Sequence, residues 1–188
     1  MGYRNAQKLI PKTFEGAVSA EFVLANPWFF AGVLGSESSS GSGPYAHVFS
    51  EADAVTSITI SNNLGMVADA EVDMRGAKMN TCTITSAVNE LVRVRLDMPY
   101  SYETFSTTTS SKIAETEDVF SFAHGTLEMP NSTTLSLVQN FECTINNNVE
   151  MLYGEGSRFA QAAPVKNREY TGSISMALQQ STDILQDF

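Results

Sequence analysis

The segment TCTITS at residues 81–86 puts Cys82 and Ile84 on one side of an extended chain and Thr81, Thr83 and Thr85 on the other. The same alternation recurs at 92–98, where Val92, Val94, Leu96 and Met98 oppose Arg93, Arg95 and Asp97. It recurs again at 141–146, with Phe141, Cys143 and Ile145 opposite Glu142, Thr144 and Asn146. A β-strand points successive side chains to opposite faces, so each run describes a sheet with one dry face and one wet face. The wet face is long, polar and poor in reactive groups. It suits a surface or a wall better than an active site.

Outward from these runs, further strands are expected near 18–24, 46–50, 55–61, 70–74, 119–124, 133–138 and 170–177, with the first two runs widening to 79–86 and 90–98 and the third to 140–147. The expected fold is mainly β, a sandwich or barrel with one flanking helix. That helix is signalled once in the first half. Asn26 is a good N-cap, Pro27 suits the first helical position, and Gly35 can close the end in the left-handed conformation. Between them Trp28, Phe29, Phe30, Val33 and Leu34 form a bulky apolar face for packing on the core. Residues 1–17 read as an arm, carrying the basic residues Arg4, Lys8 and Lys12, and residues 18–188 as a single domain. The stretch SESSSGSGP at 36–44 reads as a flexible loop, and 99–118 as a second irregular stretch of the length that tends to be functional. Residues 154–168 form a third loop, and 179–188 read as the start of a helix.

Composition excludes several function classes. A formal net charge of −10 argues against a direct grip on nucleic acid, which needs clustered Lys and Arg against phosphate. The opening MGYRNAQKLIPK has charge but no apolar core, so it is not read as a signal peptide, and no run approaches the length of a membrane span. The two cysteines, Cys82 and Cys143, both lie on the apolar side of a strand and read as small buried thiols, with a disulfide as the alternative. His47 and His124 are far apart and have no carboxylate or cysteine at ligand spacing, and no nucleophile, zinc or phosphate-loop motif occurs. The acids Glu115, Glu117 and Asp118 lack the spacing of a calcium loop and read as solvated. No catalytic residue, metal ligand or cofactor site is therefore assigned, and the chain is not read as an enzyme.

Several segments, taken in order, resemble a known family. They are an apolar helix closing in Leu34-Gly35, the Gly/Ser stretch, PYAHVFS at 44–50 and SITI at 57–60. GAKMNTCTITSAVNELVRVRLDM at 76–98, FECTINNNVE at 141–150, and GEGSRFA with NREYTGSISM inside 154–176 complete the set. Gly76, Lys78, Asn80, Ile84, Asn146, Asn147, Arg168, Gly172 and Ile174 fall in the order of the motif. Together they resemble the major tail tube proteins of long-tailed bacteriophages and related archaeal viruses. Members usually continue with a further helix or hairpin, where this sequence stops at Phe188.

The resemblance implies a structural virion protein, assembled in the host cytoplasm as hexameric rings stacked head-to-tail into the tail tube. Each subunit would contribute strands to an inner β-barrel. DNA would pass through the lumen without specific binding during genome delivery, with tape-measure and baseplate or terminator proteins as further partners. Six copies would bring about −60 to each ring, a wall along which DNA slides rather than sticks. The expected lumen residues are Thr81, Thr83, Thr85, Arg93, Arg95, Asp97, Glu142, Thr144 and Asn146, the two arginines needing acids such as Asp97 beside them. Contacts between subunits and rings are expected at Arg4, Lys8, Lys12, Tyr100, Tyr102, Phe105, Lys112, Glu115 and Glu117. The inner tube of a contractile tail or type VI secretion device is the nearest alternative, and a ligand-binding β-sandwich a weaker one.

Overall fold

The computed structural model describes residues 12–43, 45–65, 70–107, 110–111, 117–128, 134–135 and 137–177. The alternating runs at 81–86, 92–98 and 141–146 become three adjacent strands of one antiparallel sheet. Strand β1 (Gly16–Val23) pairs with β7 (Arg93–Tyr100), β7 with β6 (Thr81–Ala87), β6 with β9 (Val138–Asn146), and β9 with β10 (Glu169–Met176). A second sheet joins β4 (Ile58–Asn63), β5 (Glu71–Ala77) and β8 (Tyr102–Ser106), and β2 (Gly35–Ser40) forms a hairpin with β3 (Ala46–Glu51). No sheet closes into a barrel among the described residues. The fold is a β-sandwich with one short helix, α1 (Phe29–Leu34).

The chain passes between the two large sheets at two corners. β5 leads into β6 through 78–80, and β7 turns into β8 at Ser101, whose N–H donates to the Arg75 carbonyl at 2.9 Å. Gly76 sits at this crossing with φ +66°, and a Cβ there would come within 3.2 Å of the Ser101 Cβ. A left-handed backbone beside a close neighbour is a position that glycine suits.

The core lies where the dry face of the five-stranded sheet meets α1 and the smaller sheet. Leu96, Cys82 and Ile145 stand abreast on β7, β6 and β9, with Val94 and Ile84 in the next row. Phe29 and Val33 of α1 pack on them, and Ile58, Ile60 and Met74 approach from the smaller sheet. Val94 has no exposed surface and Val33 only 1 %, so burial of this face is the main driving force for the fold.

Several expectations change. The Gly/Ser stretch is a turn only at 41–43, while 35–40 is strand β2, because pairing with β3 supplies backbone hydrogen bonds that its small side chains do not oppose. The start of 99–118 is likewise ordered, as the end of β7 and as β8. The strand expected at 119–124 is instead a single bridge, Ser121 to Leu91, followed by a 3-10 turn at Phe122–His124. The Ser121 hydroxyl and the His124 ring hydrogen-bond back to this turn and compete with ladder pairing. Trp28 is a correction as well. It is half exposed and its ring meets His47 and Phe49 of the hairpin, while Phe29 and Val33 alone of the helix set are fully buried and Phe30 and Leu34 partly so. The helix has fewer than two turns, so one face reaches the core, and Trp28, the N-cap that precedes it, stays outside.

Cys82 and Cys143 are both free thiols. The register sets Cys82 opposite Ile145 and Cys143 opposite Ile84, so they are diagonal neighbours rather than a facing pair. Burial, with a smaller push from Cys143, raises the Cys82 thiol to about 12. In native protein at pH 8, maleimide should modify Cys143 well before Cys82, and urea should abolish the difference. Peptide mapping by mass spectrometry reads this, and equal native rates would contradict the packing described.

Candidate functional site

The opposite face of the five-stranded sheet carries the polar residues that the sequence singles out. Across the strands, one row reads Ser19, Asp97, Thr81, Asn146 and Glu169. The next reads Glu21, Arg95, Thr83, Thr144 and Thr171, and the third Val23, Arg93, Thr85, Glu142 and Ser173. All nine residues expected to line a lumen thus share one face of one sheet. Ser19, Glu21, Glu169, Thr171 and Ser173 belong beside them. In β1 the alternation of Val18, Ala20 and Phe22 with Ser19 and Glu21 is legible, but its place beside β7 is not, and in β10 nearly every residue is exposed, so no burial pattern marks Glu169, Thr171 and Ser173.

This face is chemically quiet. A hydroxyl band runs across its middle, with the Thr83 and Thr144 hydroxyls 3.0 Å apart. Its two cations are paired: Arg93 with Glu21 at 3.1 Å and Arg95 with Asp97 at 3.2 Å. The Ser19 hydroxyl also donates to Asp97, and this bond, followed by Arg95, holds the Asp97 carboxyl below the usual range. With Glu142 and Glu169 counted, four acids face two arginines, leaving the surface mildly negative. Such exposed pairs contribute little stability and chiefly remove free cation.

A buried polar hub fixes the end of this sheet. Asn147 follows β9 directly and has no exposed surface. Its side-chain N–H groups donate to the Val33 carbonyl at 2.9 Å and the Met79 carbonyl at 2.8 Å. Its Oδ1 accepts from Arg168 Nε at 2.6 Å. Arg168 in turn donates to the Leu34 carbonyl at 3.2 Å and pairs with Glu51 at 3.3 Å, and the Tyr170 hydroxyl donates to the other Glu51 oxygen at 2.5 Å. The last carbonyls of α1, which no helical N–H can reach, are therefore capped by side chains from the far end of the chain. Gly35 completes the stop with φ +101°, where a Cβ would lie 2.5 Å from the Ala54 carbonyl.

The residues expected at contacts between subunits are not gathered into one place. Tyr102 and Phe105 are exposed on β8 of the smaller sheet, Phe105 at 62 %. Lys12 and Glu117 are exposed elsewhere. Tyr100 is a correction: it lies in the core at 7 % exposure, with its hydroxyl bonded to Glu103, because the alternation that buries Leu96 and Met98 carries on through it. Arg4, Lys8, Lys112 and Glu115 lie outside the described residues. No group of three or more metal-ligating side chains occurs among the described residues, and no described helix is long and apolar enough to cross a membrane.

These features define a β-sandwich whose distinctive surface is a broad sheet face rather than a cleft. The family model for phage tail tube protein matches the chain over residues 1–188, and the chain belongs to that family. It is thus a structural component of a phage tail. No curated protein matches it.

Replacing Asn147 by Leu should destabilise the subunit by about 3 kcal/mol or more, since it removes the amide donors to two buried carbonyls and the acceptor of the Arg168 Nε–H. Urea unfolding followed by fluorescence measures this, and a loss under about 1 kcal/mol would remove the hub from its assigned role. The depressed Asp97 carboxyl contributes stability above its unfolded pKa, which is lost as pH falls through its lower folded value. Asp97→Asn should therefore lower the neutral plateau of a stability–pH curve, measured by urea unfolding, toward its acid value and so flatten the acid limb.

Proposed function

We propose that this chain forms hexameric rings that stack head-to-tail into the tail tube, with the polar face of the five-stranded sheet toward the lumen through which DNA is delivered. The observation that carries this reading is that face itself. It is uninterrupted across five strands, rich in hydroxyls, mildly negative, and its arginines are already occupied by acids. DNA phosphates are repelled by the surplus charge and find no unpaired guanidinium there to grip.

The sheet edges supply the means of closure. β1 and β10 each have eight residues and each lacks a strand partner on its outer side among the described residues. Open edges of that length are an aggregation hazard unless something covers them. A neighbouring copy is the economical cover, since β10 of one subunit laid beside β1 of the next extends the wall around a ring. In an all-antiparallel sheet of five strands the two edges run in the same direction. Copies related by a rotation about the tube axis therefore meet in parallel at each seam. The hairpin of β2 and β3 and the exposed side chains of β8 stand away from this face and are available to neighbours in the ring or in the next ring. Assembly in the host cytoplasm, a tape-measure protein inside the growing tube, and terminator and baseplate proteins at its ends belong to the same reading.

The Leu24 N–H donates to the Val92 carbonyl at 2.8 Å, so strand alternation turns the N–H groups of Ala17, Ser19 and Glu21 outward. Ser19→Pro should remove one of these donors while sparing the inner ladder. Negative-stain microscopy and mass photometry of purified wild type over a range of concentrations should show hollow rings or tubes with masses in multiples of six subunits. Ser19→Pro should stay monomeric with an unchanged circular dichroism spectrum. A wild type that is monomeric at every concentration, or a proline variant that assembles normally, would count against the seam.

A further inference from the structure

The two ends of the five-stranded sheet differ in form. At one end, where the wet face stops, lies an open polar cleft of about 700 Å³. It is lined by Asn146 and Glu169 of the last cross-strand row, together with Asn80, Asn148, Glu150 and Lys166. At the other end, roughly 20 Å away along β6, the chain turns into β7 through 88–91. Val88, Asn89, Glu90 and Leu91 are all exposed there. If β1 and β10 close a ring, these ends face the adjacent rings, since strands of a closed sheet tilt only about 35–45° from its axis.

The turn is a firm projection that offers acceptors. The Glu90 N–H donates to the Ala87 carbonyl at 3.0 Å, and the Glu90 carbonyl accepts from the Phe122 N–H at 3.1 Å. Asn89 holds φ +66° at the tip, a left-handed conformation that Asn tolerates. Those bonds use the Ala87 and Glu90 carbonyls, so the tip presents the carbonyls of Val88 and Asn89 and the Glu90 carboxylate. The cleft offers the complementary donors. Asn80 Oδ1 accepts from the Val149 N–H at 2.7 Å and Asn146 Oδ1 from the Asn148 N–H at 3.0 Å, so both amides keep their N–H groups for a visitor. Lys166 pairs with Glu150 at 2.8 Å, which engages one of the three donors of its ammonium. Glu169 supplies an acceptor for the Asn89 amide. Head-to-tail stacking sets opposite ends against each other, so a projection at one end and a cleft at the other can repeat from ring to ring.

We infer that the β6–β7 turn of one copy seats in this cleft of a copy in the adjacent ring, with the tip carbonyls on the Asn80 and Asn146 amides and Glu90 on Lys166. This rests on the ring reading above and adds to it the contact between rings. The experiment is photo-crosslinking of tubes assembled from the full chain with p-benzoylphenylalanine in place of Asn89, and in a second variant in place of Asn167. The expected adducts have dimer mass, joining position 89 to peptides from 146–151 or 166–169, and position 167 to peptides from 87–91. In parallel, Lys166→Glu should leave rings of unchanged mass and shorten mean tube length by about tenfold, because every copy around the ring gains the same repulsion. Adding Glu90→Lys should restore the length, which a role of Lys166 confined to its own subunit would not allow. Adducts absent or mapped only elsewhere, undiminished tubes from Lys166→Glu, or no recovery in the double variant would overturn the seating and leave ring formation standing. A wild type that never assembles would instead remove the ring reading, and this inference with it.

Discussion

The buried amide of Asn147 is the constraint on which the arrangement of the elements depends. A side chain with no access to water must place every polar atom, and Asn147 does so only if three separate pieces of chain meet it. The end of α1 brings the Val33 carbonyl, the corner before β6 brings the Met79 carbonyl, and the start of β10 brings Arg168. Moving any one of them leaves a buried group unpaired, at a cost that is a large share of a domain's net stability. The hub therefore does what apolar packing alone does poorly. It distinguishes one placement of the helix on the sheet from near alternatives of similar buried area.

From that fixed end the sheet divides the molecule's work between two faces. The dry face is committed to the core and to α1. The wet face is relieved of any role in packing, and so it can be broad, hydroxyl-lined and electrically muted. Its ion pairs lie on the surface, where they add little stability. In the proposed tube they would change the chemistry offered to a passing polyanion. A wall with free arginines would retard DNA, and one of unpaired acids would strain the ring by self-repulsion. Pairing Arg93 with Glu21 and Arg95 with Asp97 avoids both extremes.

Much of the large sheet was legible in the chain. The alternation at 81–86, 92–98 and 141–146 marks its three central strands, since only there do both neighbours enforce the period of two. The edges were legible in outline and not in detail: in β10 seven of eight residues are exposed, so no burial pattern disciplines the sequence. Strand β2 was not legible at all, because GSESSS carries no side chain that prefers a strand and is held by its partner's backbone. Trp28 misled for the opposite reason. Its size suggests burial, yet it precedes a helix too short to turn it inward, and the hairpin takes its ring instead.

By itself the sequence determined the class of fold, the composition of its two faces and the stop of the helix at Gly35, because periodicity and backbone freedom are local properties of the chain. It also singled out Asn147 and Arg168 as members of an ordered motif, without saying what they do. Only the tertiary structure decided that they meet. The same holds for the pairing of Arg93 with Glu21 across 72 residues, and for the bond from the Ala177 N–H, just past β10, to the Leu137 carbonyl. The physical reason is common to all three. A hydrogen bond or ion pair between distant residues has no period and no local propensity, and it comes into being only when the strands between them have taken their register.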